Sequence, residues 1–561
     1  MNLKPFLLTL LCVSNFASAQ QGVYKTNKLL ECNNAAVVSA HPLASKVGVN
    51  ILKKGCNAVD AAIATQLALA VVYPAAGNLG GGGFMVASFN TGKRITLDYR
   101  EKAPAAGHKD MYLDANGNPV TKLSEEGHLA AGVPGTVAGL FASLKYARLD
   151  FKQLIEPAIQ LAEKGFAITT AQASSFNYYK SSFNRVNKKH FPFVKREEWK
   201  TGDILVQPEL ASTLKRIRDK GQNGFYEGET ARMIVDEMKG KGLISYEDLK
   251  NYRAVEREPM VFNYKGNEIL TMSLSSSGGI LLQQMFKMIR DRNIKALGHQ
   301  TSASVQLMIE VQRRAYADRA FYLGDPDYVK VPVKHLVTEA YLQQRMHDFV
   351  PGKAGSSITI KEGMIKESEE TTHISVIDRF GNAVSVTTTL NDSYGGKLMV
   401  TGAGFLLNNE MDDFSVKEGH PNMYGALGNA ANAIAPGKRM LSSMSPTIVL
   451  KNKKPVIIIG TPGGTTIPTN VFQALVNLLE FNLSPLDAVN TPKFHHQWMP
   501  DSVYFEKDYP ADVIQKMSDM GYKTITRTPI GRMELITINY GKRRKITAVA
   551  DKRGEDSAEG Y

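Results

Sequence analysis

A continuous apolar stretch after Gly55 forms the clearest helical pattern in the chain. Asn57 is a residue type that caps helices, and Asp60 would lie in the first turn. Alanine, isoleucine, leucine and valine fill the following turns until Pro74. Because apolar residues occur on every side of this helix, the pattern predicts a helix that is buried all round.

Four consecutive glycines, Gly80 to Gly83, precede an apolar run from Phe84 to Phe89 that is typical of a strand. A phosphate-binding glycine loop would instead open a helix and be followed by Lys and Ser or Thr. Neither feature is present here. We therefore interpret the four glycines as a place where backbones pack closely together.

The chain changes character near residue 371. Residues 134–350 are mainly helical in pattern, and residues 354–370 are polar and typical of an exposed segment. Two β-branched runs then flank a short loop that contains Gly381, which predicts a β-hairpin. The change from polar linker to strand falls at Thr371.

The hairpin's loop length fixes which residues face each other. With Gly381 in the left-handed position of a three-residue loop, residue 378 pairs with 382 and residue 376 with 384. The same register places Thr371 opposite Thr389 at the open end of the hairpin. A bulge would shift this pairing.

A threonine at the start of a strand can be a nucleophile if a base lies beside its hydroxyl. Its own α-amino group, with a reference pKa of about 8, can serve as that base. Such a role requires a chain break directly before Thr371. Taken alone, Thr371 is better explained as an ordinary strand residue, since threonine is common in strands.

Charge and the N-terminal segment restrict where the protein works. The 561-residue chain carries a formal net charge of +13, but its basic residues are scattered in short clusters, which does not favour nucleic-acid binding. Residues 1–19 read as a signal peptide: Lys4, an apolar run, and the small-residue site Ala17-Ser18-Ala19. No later segment is typical of a membrane span, so we expect an exported protein, periplasmic or secreted.

Removing that leader leaves two cysteines, Cys32 and Cys56. Two thiols in an oxidising compartment are often paired, so we expect a disulfide between them, with two buried free thiols as the alternative. His373, His495 and His496 lack the spacing of metal ligands, and we predict no metal and no cofactor.

Several motifs together resemble one family, the γ-glutamyltransferases, which are N-terminal-nucleophile (Ntn) hydrolases. The resemblance runs from about residue 30 to the end, in the family's order. The matching segments are Asn78-Leu79 with the four glycines, Tyr99–Glu101, Ala103–Ala105, Glu370–Val376, Asn408–Phe414, Leu441–Thr447, Pro462–Gly464, Phe494–Trp498 and Gly560-Tyr561.

The resemblance implies a fold and a division of the chain. It implies an α+β, four-layer αββα sandwich built from two autoprocessed chains that form a heterodimer. Cleavage between Glu370 and Thr371 would separate a large subunit, residues 20–370, from a small subunit, residues 371–561. The sequence itself shows only a mixture of helix and strand.

The resemblance also implies roles for individual residues. Thr371 would be the nucleophile, Thr389 would orient it, and Gly463 and Gly464 would donate backbone N–H groups to the oxyanion. The substrate's γ-glutamyl group carries an α-carboxylate and an α-ammonium. The residues expected to hold these two charges are Arg100, Ser442 and Ser443 for the carboxylate, and Asn391, Glu410 and Asp413 for the ammonium.

A long Gly/Asn/Ala-rich segment, residues 415–440, is expected to cover the substrate, with Tyr424 as its gate. A plain flexible loop is the alternative. Asn391-Asp392-Ser393 is formally a glycosylation sequon, but a glycan there would block the site, which favours a bacterial exporter.

The expected reaction is cleavage of γ-glutamyl bonds, as in glutathione, with transfer of the group to water, an amino acid or a dipeptide. Two alternatives remain open. One is a related Ntn acylase that acts on β-lactam side chains or poly-γ-glutamate. The other is an inactive exported protein that only binds γ-glutamyl compounds.

Overall fold

Two seven-stranded antiparallel sheets form the centre of the protein. The computed structural model describes residues 23–188, 191–360, 371–423, 425 and 427–561. Its strands, in chain order, are β1 (Leu29–Cys32), β2 (Ala36–Ser39), β3 (Gly82–Ser88), β4 (Arg94–Asp98), β5 (Phe166–Ala167), β6 (Ile204–Leu205), β7 (Val255–Arg257), β8 (Met260–Tyr264), β9 (Asn267–Thr271), β10 (Thr372–Ile377), β11 (Ala383–Thr389), β12 (Thr447–Lys451), β13 (Lys454–Gly460), β14 (Phe494–His495), β15 (Val503–Glu506), β16 (Thr524–Arg527), β17 (Glu534–Tyr540), β18 (Arg544–Ala550) and β19 (Ser557–Gly560).

Helices cover the outer faces of both sheets. In chain order they are α1 (Pro42–Lys53), α2 (Ala58–Val72), α3 (Lys122–Glu125), α4 (Thr136–Ser143), α5 (Phe151–Lys164), α6 (Thr170–Val186), α7 (Pro208–Lys220), α8 (Asn223–Tyr226), α9 (Gly228–Met238), α10 (Tyr246–Asn251), α11 (Gly278–Arg290), α12 (Ile294–Leu297), α13 (Ser302–Tyr322), α14 (Val333–Leu336), α15 (Glu339–Arg345), α16 (Ile467–Leu479), α17 (Pro485–Asn490) and α18 (Ala511–Asp519). Short 3₁₀ helices span Leu144–Tyr146, Ser357–Ile360, Glu410–Asp413, Ala430–Asn432 and Gly464–Thr466.

The two sheets stack face to face. Sheet I has the strand order β1-β18-β17-β13-β12-β9-β8, and sheet II has the order β19-β2-β10-β11-β3-β4-β7. Strands β10 and β11 of sheet II pack on β13 of sheet I, while α1 and α2 cover the outer face of sheet II and α11 and α16 pack against sheet I. This arrangement is the four-layer αββα sandwich that the resemblance implies.

The expected hairpin is present with the expected register. Thr372 pairs with Thr388, Val376 with Val384 and Ile377 with Ala383. Gly381 has a φ of +93°, the left-handed conformation that its loop requires. Because no bulge interrupts the ladder, its next position places Thr371 opposite Thr389, as predicted.

The buried helix is also confirmed. In α2 every residue is buried, and the Asn57 side chain accepts from the backbone N–H groups of Val59 and Asp60. Asp60 in turn accepts from the Asn57 backbone N–H at 2.8 Å, which completes a capping box. This helix forms the floor on which β10 and β11 rest.

The four glycines serve close packing, as interpreted. A Cβ on Gly81 would stand 2.0 Å from the Thr389 carbonyl oxygen, and one on Gly83 would stand 2.5 Å from that of Thr387. Any side chain there would push β3 away from β11 and displace the end of the strand that carries Thr389.

The expected disulfide between Cys32 and Cys56 is wrong, because both thiols are free. The Cys32 thiol donates to the Ala35 carbonyl at 3.3 Å. The Tyr561 phenol lies within electrostatic range of both thiols and donates its hydroxyl to the Leu52 carbonyl at 2.9 Å. Both thiols therefore lie within electrostatic range of Tyr561, and burial raises the pKa of each thiol.

Segments on either side of residue 371 are interleaved in both sheets. In sheet II, β10 and β11 lie between β2 and β3, and β19 forms one edge. In sheet I, β12 and β13 lie beside β9. Two chains produced by a cut before Thr371 would therefore share both sheets and their cores.

Three expectations fall outside the described residues: the signal peptide at residues 1–19, the Glu370 side of the cleavage junction, and the gate residue Tyr424. Within the described ranges, no helix has the length and apolarity needed to cross a membrane.

Replacing Asn57 with Ala should destabilise the protein, since the substitution removes the cap of α2 and a hydrogen bond from the Asn57 amide to the Tyr146 carbonyl. We expect the free energy of unfolding to fall by about 1–2 kcal/mol, read from the midpoint of urea denaturation. Asn50→Ala, on the exposed face of α1, is the matched control and should change it by less than about 0.5 kcal/mol. Equal effects of the two substitutions would contradict the capping role.

Candidate active site

One cavity brings together nine of the ten residues expected for catalysis and substrate binding. Its volume is about 330 Å³, and it lies at the open end of the β10–β11 hairpin. The residues that line it are Arg100, Arg319, Thr371, Thr389, Asn391, Glu410, Asp413, Ser442, Ser443, Met444, Gly464, Thr465 and Ile467. Of the expected set, Gly463 does not line the cavity but directly precedes Gly464.

The two threonines at the hairpin's open end lie beside each other in this cavity. Their hydroxyl oxygens are 3.5 Å apart, and Thr371 is only 4% exposed. The Thr389 hydroxyl also accepts from the Asn391 backbone N–H at 2.8 Å. The strand pairing therefore puts a potential nucleophile next to an oriented second hydroxyl.

The Asn78 side chain fixes the end of β11 from the other side. Its amide group donates to the Thr389 carbonyl at 2.9 Å, and its carbonyl oxygen accepts from the Gly81 backbone N–H at 3.0 Å. The Thr136 hydroxyl donates to the same oxygen at 2.6 Å. Asn78 thus links the glycine run to the residue beside Thr371.

Arg100 is held at the bottom of the cavity by acidic residues. Its Nη1 lies 2.5 Å from a Glu410 carboxylate oxygen, and its Nη2 forms an ion pair with Asp413. A carboxylate oxygen of Glu101 is 3.6 Å from Nη1. The side chains expected to bind the two opposite charges of the substrate therefore pair with each other in this structure.

Burial strongly affects the pKa values of these groups. For Arg100, burial acts to lower the pKa, but Glu410, Asp413 and Glu101 raise it overall. Burial raises the pKa of Glu101 to about 8 and that of Glu410 well above its usual range, and the Arg100 charge opposes both shifts. Burial and the Arg100 charge therefore act in opposite directions on the pKa values of these carboxyl groups.

The chain after β11 returns to the cavity as a 3₁₀ helix, Glu410–Asp413, whose residues Glu410 and Asp413 line the cavity. Asn391 has a φ of +80°, and its side-chain amide donates to the Asn409 carbonyl at 3.0 Å. This contact joins the end of the hairpin to the acidic turn. The left-handed backbone at Asn391 is of a kind that asparagine tolerates better than most residues.

Ser442 and Ser443 form the opposite wall. The Ser442 hydroxyl accepts from the Met444 backbone N–H at 3.2 Å, so its own proton remains available to a ligand. The Ser442 carbonyl accepts from both the backbone N–H and the hydroxyl of Ser277, at 2.8 and 2.7 Å. Ser277 therefore braces the serine wall from behind.

The two glycines expected to bind the oxyanion lie at the start of a 3₁₀ helix. Gly463 is its N-cap residue, with a φ of +135°, and Gly464 is its first residue, with a φ of +51°. N–H groups at the first positions of a helix have no acceptor within the helix and can bind a negative oxygen. The φ of Gly463 is favourable only for glycine, and that of Gly464 lies in the left-handed region that glycine adopts most readily.

Four residues that line the cavity were not predicted from the sequence: Arg319, Met444, Thr465 and Ile467. Arg319 lies near the end of α13, in a stretch where arginines, acidic residues and apolar residues alternate without a clear face. Met444 and Thr465 directly follow predicted residues, so adjacency to a motif was the available signal for these two.

The segment after the acidic turn covers part of it. The Asn422 side chain donates to an Asp413 carboxylate oxygen at 3.0 Å, and the Met423 backbone N–H donates to Asp412 at 2.8 Å. The Asn432 side chain donates to the Asp413 carbonyl at 2.7 Å. Asn422, Met423 and Asn432 are thus in direct contact with the acidic turn.

The three histidines considered as metal ligands are buried within hydrogen-bond networks. His373 Nδ1 is 2.9 Å from the Thr387 hydroxyl, and His495 Nδ1 is 2.8 Å from that of Thr469. Burial lowers the pKa of His373 to about 3 and of His496 to about 4. In the part of the chain that the structure describes, no cluster of three or more His, Cys, Asp or Glu could hold a metal ion.

Comparisons with known proteins agree with this geometry. The family model for gamma-glutamyltranspeptidase matches residues 44–561. The chain is 43% identical over 532 residues to the glutathione hydrolase proenzyme of Escherichia coli, covering 94% of this chain and 91% of that protein. It is 45% identical over 497 residues to the Pseudomonas aeruginosa protein of the same name, covering 87% and 88% respectively.

Comparison with solved structures agrees with these sequence matches. A crystal structure of Helicobacter pylori gamma-glutamyltranspeptidase matches with 45% identity and a TM-score of 0.57, covering 58% of this chain and 95% of that one. A cephalosporin acylase from Bacillus halodurans matches with a TM-score of 0.84 over 97% and 98% of the two chains; at 24% identity it shares the fold. The family model and the long matches at over 40% identity show that this chain belongs to the γ-glutamyltranspeptidase family.

Proposed function

We propose that the protein is an autoprocessing γ-glutamyltransferase and glutathione hydrolase. The observation that carries this proposal is the Thr371–Thr389 pair, because it opens into a cavity that holds both positive and negative side chains. A γ-glutamyl group presents a carbonyl to the nucleophile and a zwitterion to the rest of the site. The cavity matches all three features.

In the first step, the Thr371 hydroxyl attacks the γ-carbonyl carbon, and the free α-amine of the same residue takes up the hydroxyl proton. The N–H groups of Gly463 and Gly464 stabilise the negative oxygen of the tetrahedral intermediate, and each such donor contributes about 3 kcal/mol. The leaving amine departs with the proton. A γ-glutamyl ester remains on Thr371.

In the second step, water or the amino group of an acceptor attacks that ester, and the same α-amine accepts its proton. Water gives hydrolysis, whereas an amino acid or a dipeptide gives transfer. Thr389 keeps the Thr371 hydroxyl in position through both steps, since the Asn391 backbone N–H orients it.

Substrate specificity comes from exchange of ion pairs. When a γ-glutamyl donor enters, its ammonium replaces Arg100 as partner of Glu410 and Asp413, helped by the Asn391 carbonyl oxygen. The α-carboxylate then binds Arg100 and the hydroxyl groups of Ser442 and Ser443. An acylase for β-lactam side chains or poly-γ-glutamate would not require this complete set of charges.

The free α-amine of Thr371 is produced by cleavage of the Glu370–Thr371 bond. We propose that the Thr371 hydroxyl attacks the Glu370 carbonyl carbon, so that an ester forms by an N-to-O shift and is then hydrolysed. The products, residues 20–370 and 371–561, remain together as a heterodimer because they share both sheets.

Residues 415–440 act as a lid in this proposal, with Tyr424 as its gate. The hydrogen bonds from Asn422 and Met423 to the acidic turn support such a role, because closure would exclude water from the ester. The leader at residues 1–19 supports export of the precursor, to a periplasm or to the outside.

Replacing Thr371 with Ala should abolish both cleavage and activity, since the substitution removes the hydroxyl that attacks in each reaction. On a denaturing gel we expect one uncut band, with no release of glutamate from glutathione. Thr372→Val is the matched control: it removes the hydroxyl of the adjacent buried threonine, which has no hydrogen-bond partner among the described residues. That variant should still divide into two bands, and cleavage of the Thr371→Ala protein would disprove the assignment.

The raised pKa of Glu101 predicts a dependence of stability on pH. Between pH 4.5, the usual pKa of a glutamate, and pH 8, near the pKa of Glu101 in the folded protein, the folded protein keeps a proton that the unfolded chain has lost. Stability due to this group is therefore highest below pH 4.5 and falls as the pH rises to 8. Glu101→Gln removes this effect, so its stability relative to the wild type should rise by at least about 1 kcal/mol between pH 5 and 8.

Urea midpoints at several pH values would measure this difference. The exposed Glu258→Gln serves as control, and its stability relative to the wild type should stay constant over the same range. A Glu101→Gln protein that loses stability relative to the wild type as the pH rises would show that Glu101 is ionised in the folded protein.

A further inference from the structure

A second arginine, Arg319, lines the same cavity and has no role in the proposed reaction so far. It is 7% exposed and lies near the end of α13. In the described part of the chain its one hydrogen bond runs from Nε to the Ser277 hydroxyl at 3.2 Å. Its Nη groups have no ion pair within the same residues, although the side chain is almost completely buried.

The surroundings of Arg319 differ from those of Arg100. Arg100 contacts three carboxylates, which raise its pKa above the usual range although burial opposes this. At Arg319 burial lowers the pKa; the Tyr316 phenol and Asp413 only partly oppose this effect, and the Arg100 charge adds to it. The cavity therefore contains two guanidinium groups with different surroundings. The charge of Arg100 is balanced by nearby carboxylates, whereas Arg319 lacks a close negative partner among the described residues, and an unbalanced charge is costly to bury.

The position of Arg319 indicates where that partner would bind. Ser277 accepts from Arg319 and donates to the Ser442 carbonyl, so one hydroxyl joins the guanidinium to the serine wall. Ser442, Ser443 and Arg319 all line the cavity. Hydroxyl donors next to a guanidinium are a suitable environment for a carboxylate.

We propose that Arg319 is a second anchor for the α-carboxylate of the γ-glutamyl donor, and thus a determinant of specificity. This inference rests on the proposed function, because it assumes a γ-glutamyl substrate in this cavity. Arg100 can give up its contacts with Glu410 and Asp413 only when the substrate's ammonium takes its place. Arg319 requires no such exchange and can attract the carboxylate before the ammonium is seated.

Charge balance supports this assignment. The ammonium of the donor faces Glu410 and Asp413, and its carboxylate then lies between two guanidinium groups and two hydroxyl groups. A planar guanidinium can bind both oxygens of a carboxylate, which a lysine ammonium cannot do with the same geometry. A donor without the α-carboxylate cannot make these contacts, so the site discriminates against it.

The experiment compares two donors in wild type and in Arg319→Met. One is γ-glutamyl-p-nitroanilide, and the other is the same compound with its α-carboxylate converted to a carboxamide, which keeps the size and removes the charge. The measured quantity is kcat/KM for the carboxylate donor divided by kcat/KM for the carboxamide donor. We expect Arg319→Met to lower this ratio by about 10- to 100-fold, with most of the loss in KM for the carboxylate donor.

Ser277→Ala is the matched control, since it removes the brace between Arg319 and the serine wall but leaves the guanidinium in place. It should slow both donors together and leave the ratio unchanged. Equal losses for both donors in Arg319→Met would give Arg319 the same bracing role and overturn the inference. If Arg319→Met does not fold and divide into two chains, Arg319→Lys decides: a reduced ratio supports the anchor, and the full wild-type ratio contradicts it.

The outcome for the wild type separates the two proposals. If it releases p-nitroaniline from neither donor, the proposed function itself fails. If it cleaves the γ-glutamyl donor and Arg319→Met retains the full preference for the α-carboxylate, the enzyme assignment stands and only the role of Arg319 is wrong.

Discussion

The backbone pairing of β10 with β11 determines where Thr371 lies, and the rest of the site is arranged around it. The ladder is unbroken from Ile377 to Thr372, so the position of Thr371 beside Thr389 follows from the tight loop at Gly381. Strand β3 supports the pair from one side, and its glycines allow an approach that any Cβ would prevent. The nucleophile is therefore placed by rigid sheet geometry, which is the kind of positioning that catalysis requires.

Substrate choice depends on a different property, the balance of buried charges. Arg100 and the acidic residues around it neutralise one another, which avoids the cost of isolated buried ions. A zwitterionic γ-glutamyl group can replace these internal ion pairs one for one. Arg319 adds a positive charge on the serine side, so the cavity favours a ligand that brings a carboxylate to that wall.

Local features of this fold could be predicted from the sequence, because the interactions that create them span few residues. The helix cap at Asn57 and the hairpin around Gly381 both depend on residues close by in the sequence, and both are confirmed. The four-layer architecture came from the resemblance to a family, since pairings such as β2 with β10 join distant parts of the chain.

The wrong and missed predictions also have physical reasons. The disulfide was inferred from the expected compartment and the number of cysteines. Neither of these determines how close Cys32 and Cys56 lie in the folded protein. Arg319 was missed because a buried arginine in a helix has the same sequence pattern as one that faces solvent. The mutual ion pairs of Arg100, Glu410 and Asp413 could not be anticipated from roles assigned to each residue toward a substrate.

The central claim is that Thr371 carries the γ-glutamyl group as an ester during the reaction. The most direct measurement is mass spectrometry of the processed protein, mixed with a γ-glutamyl donor and quenched in acid. The account predicts that the chain beginning at Thr371 gains the mass of one glutamyl group, that the modification maps to Thr371, and that hydroxylamine removes it. A glutamyl group found on another residue, or a protein that turns over donor with an uncut chain, would contradict the account.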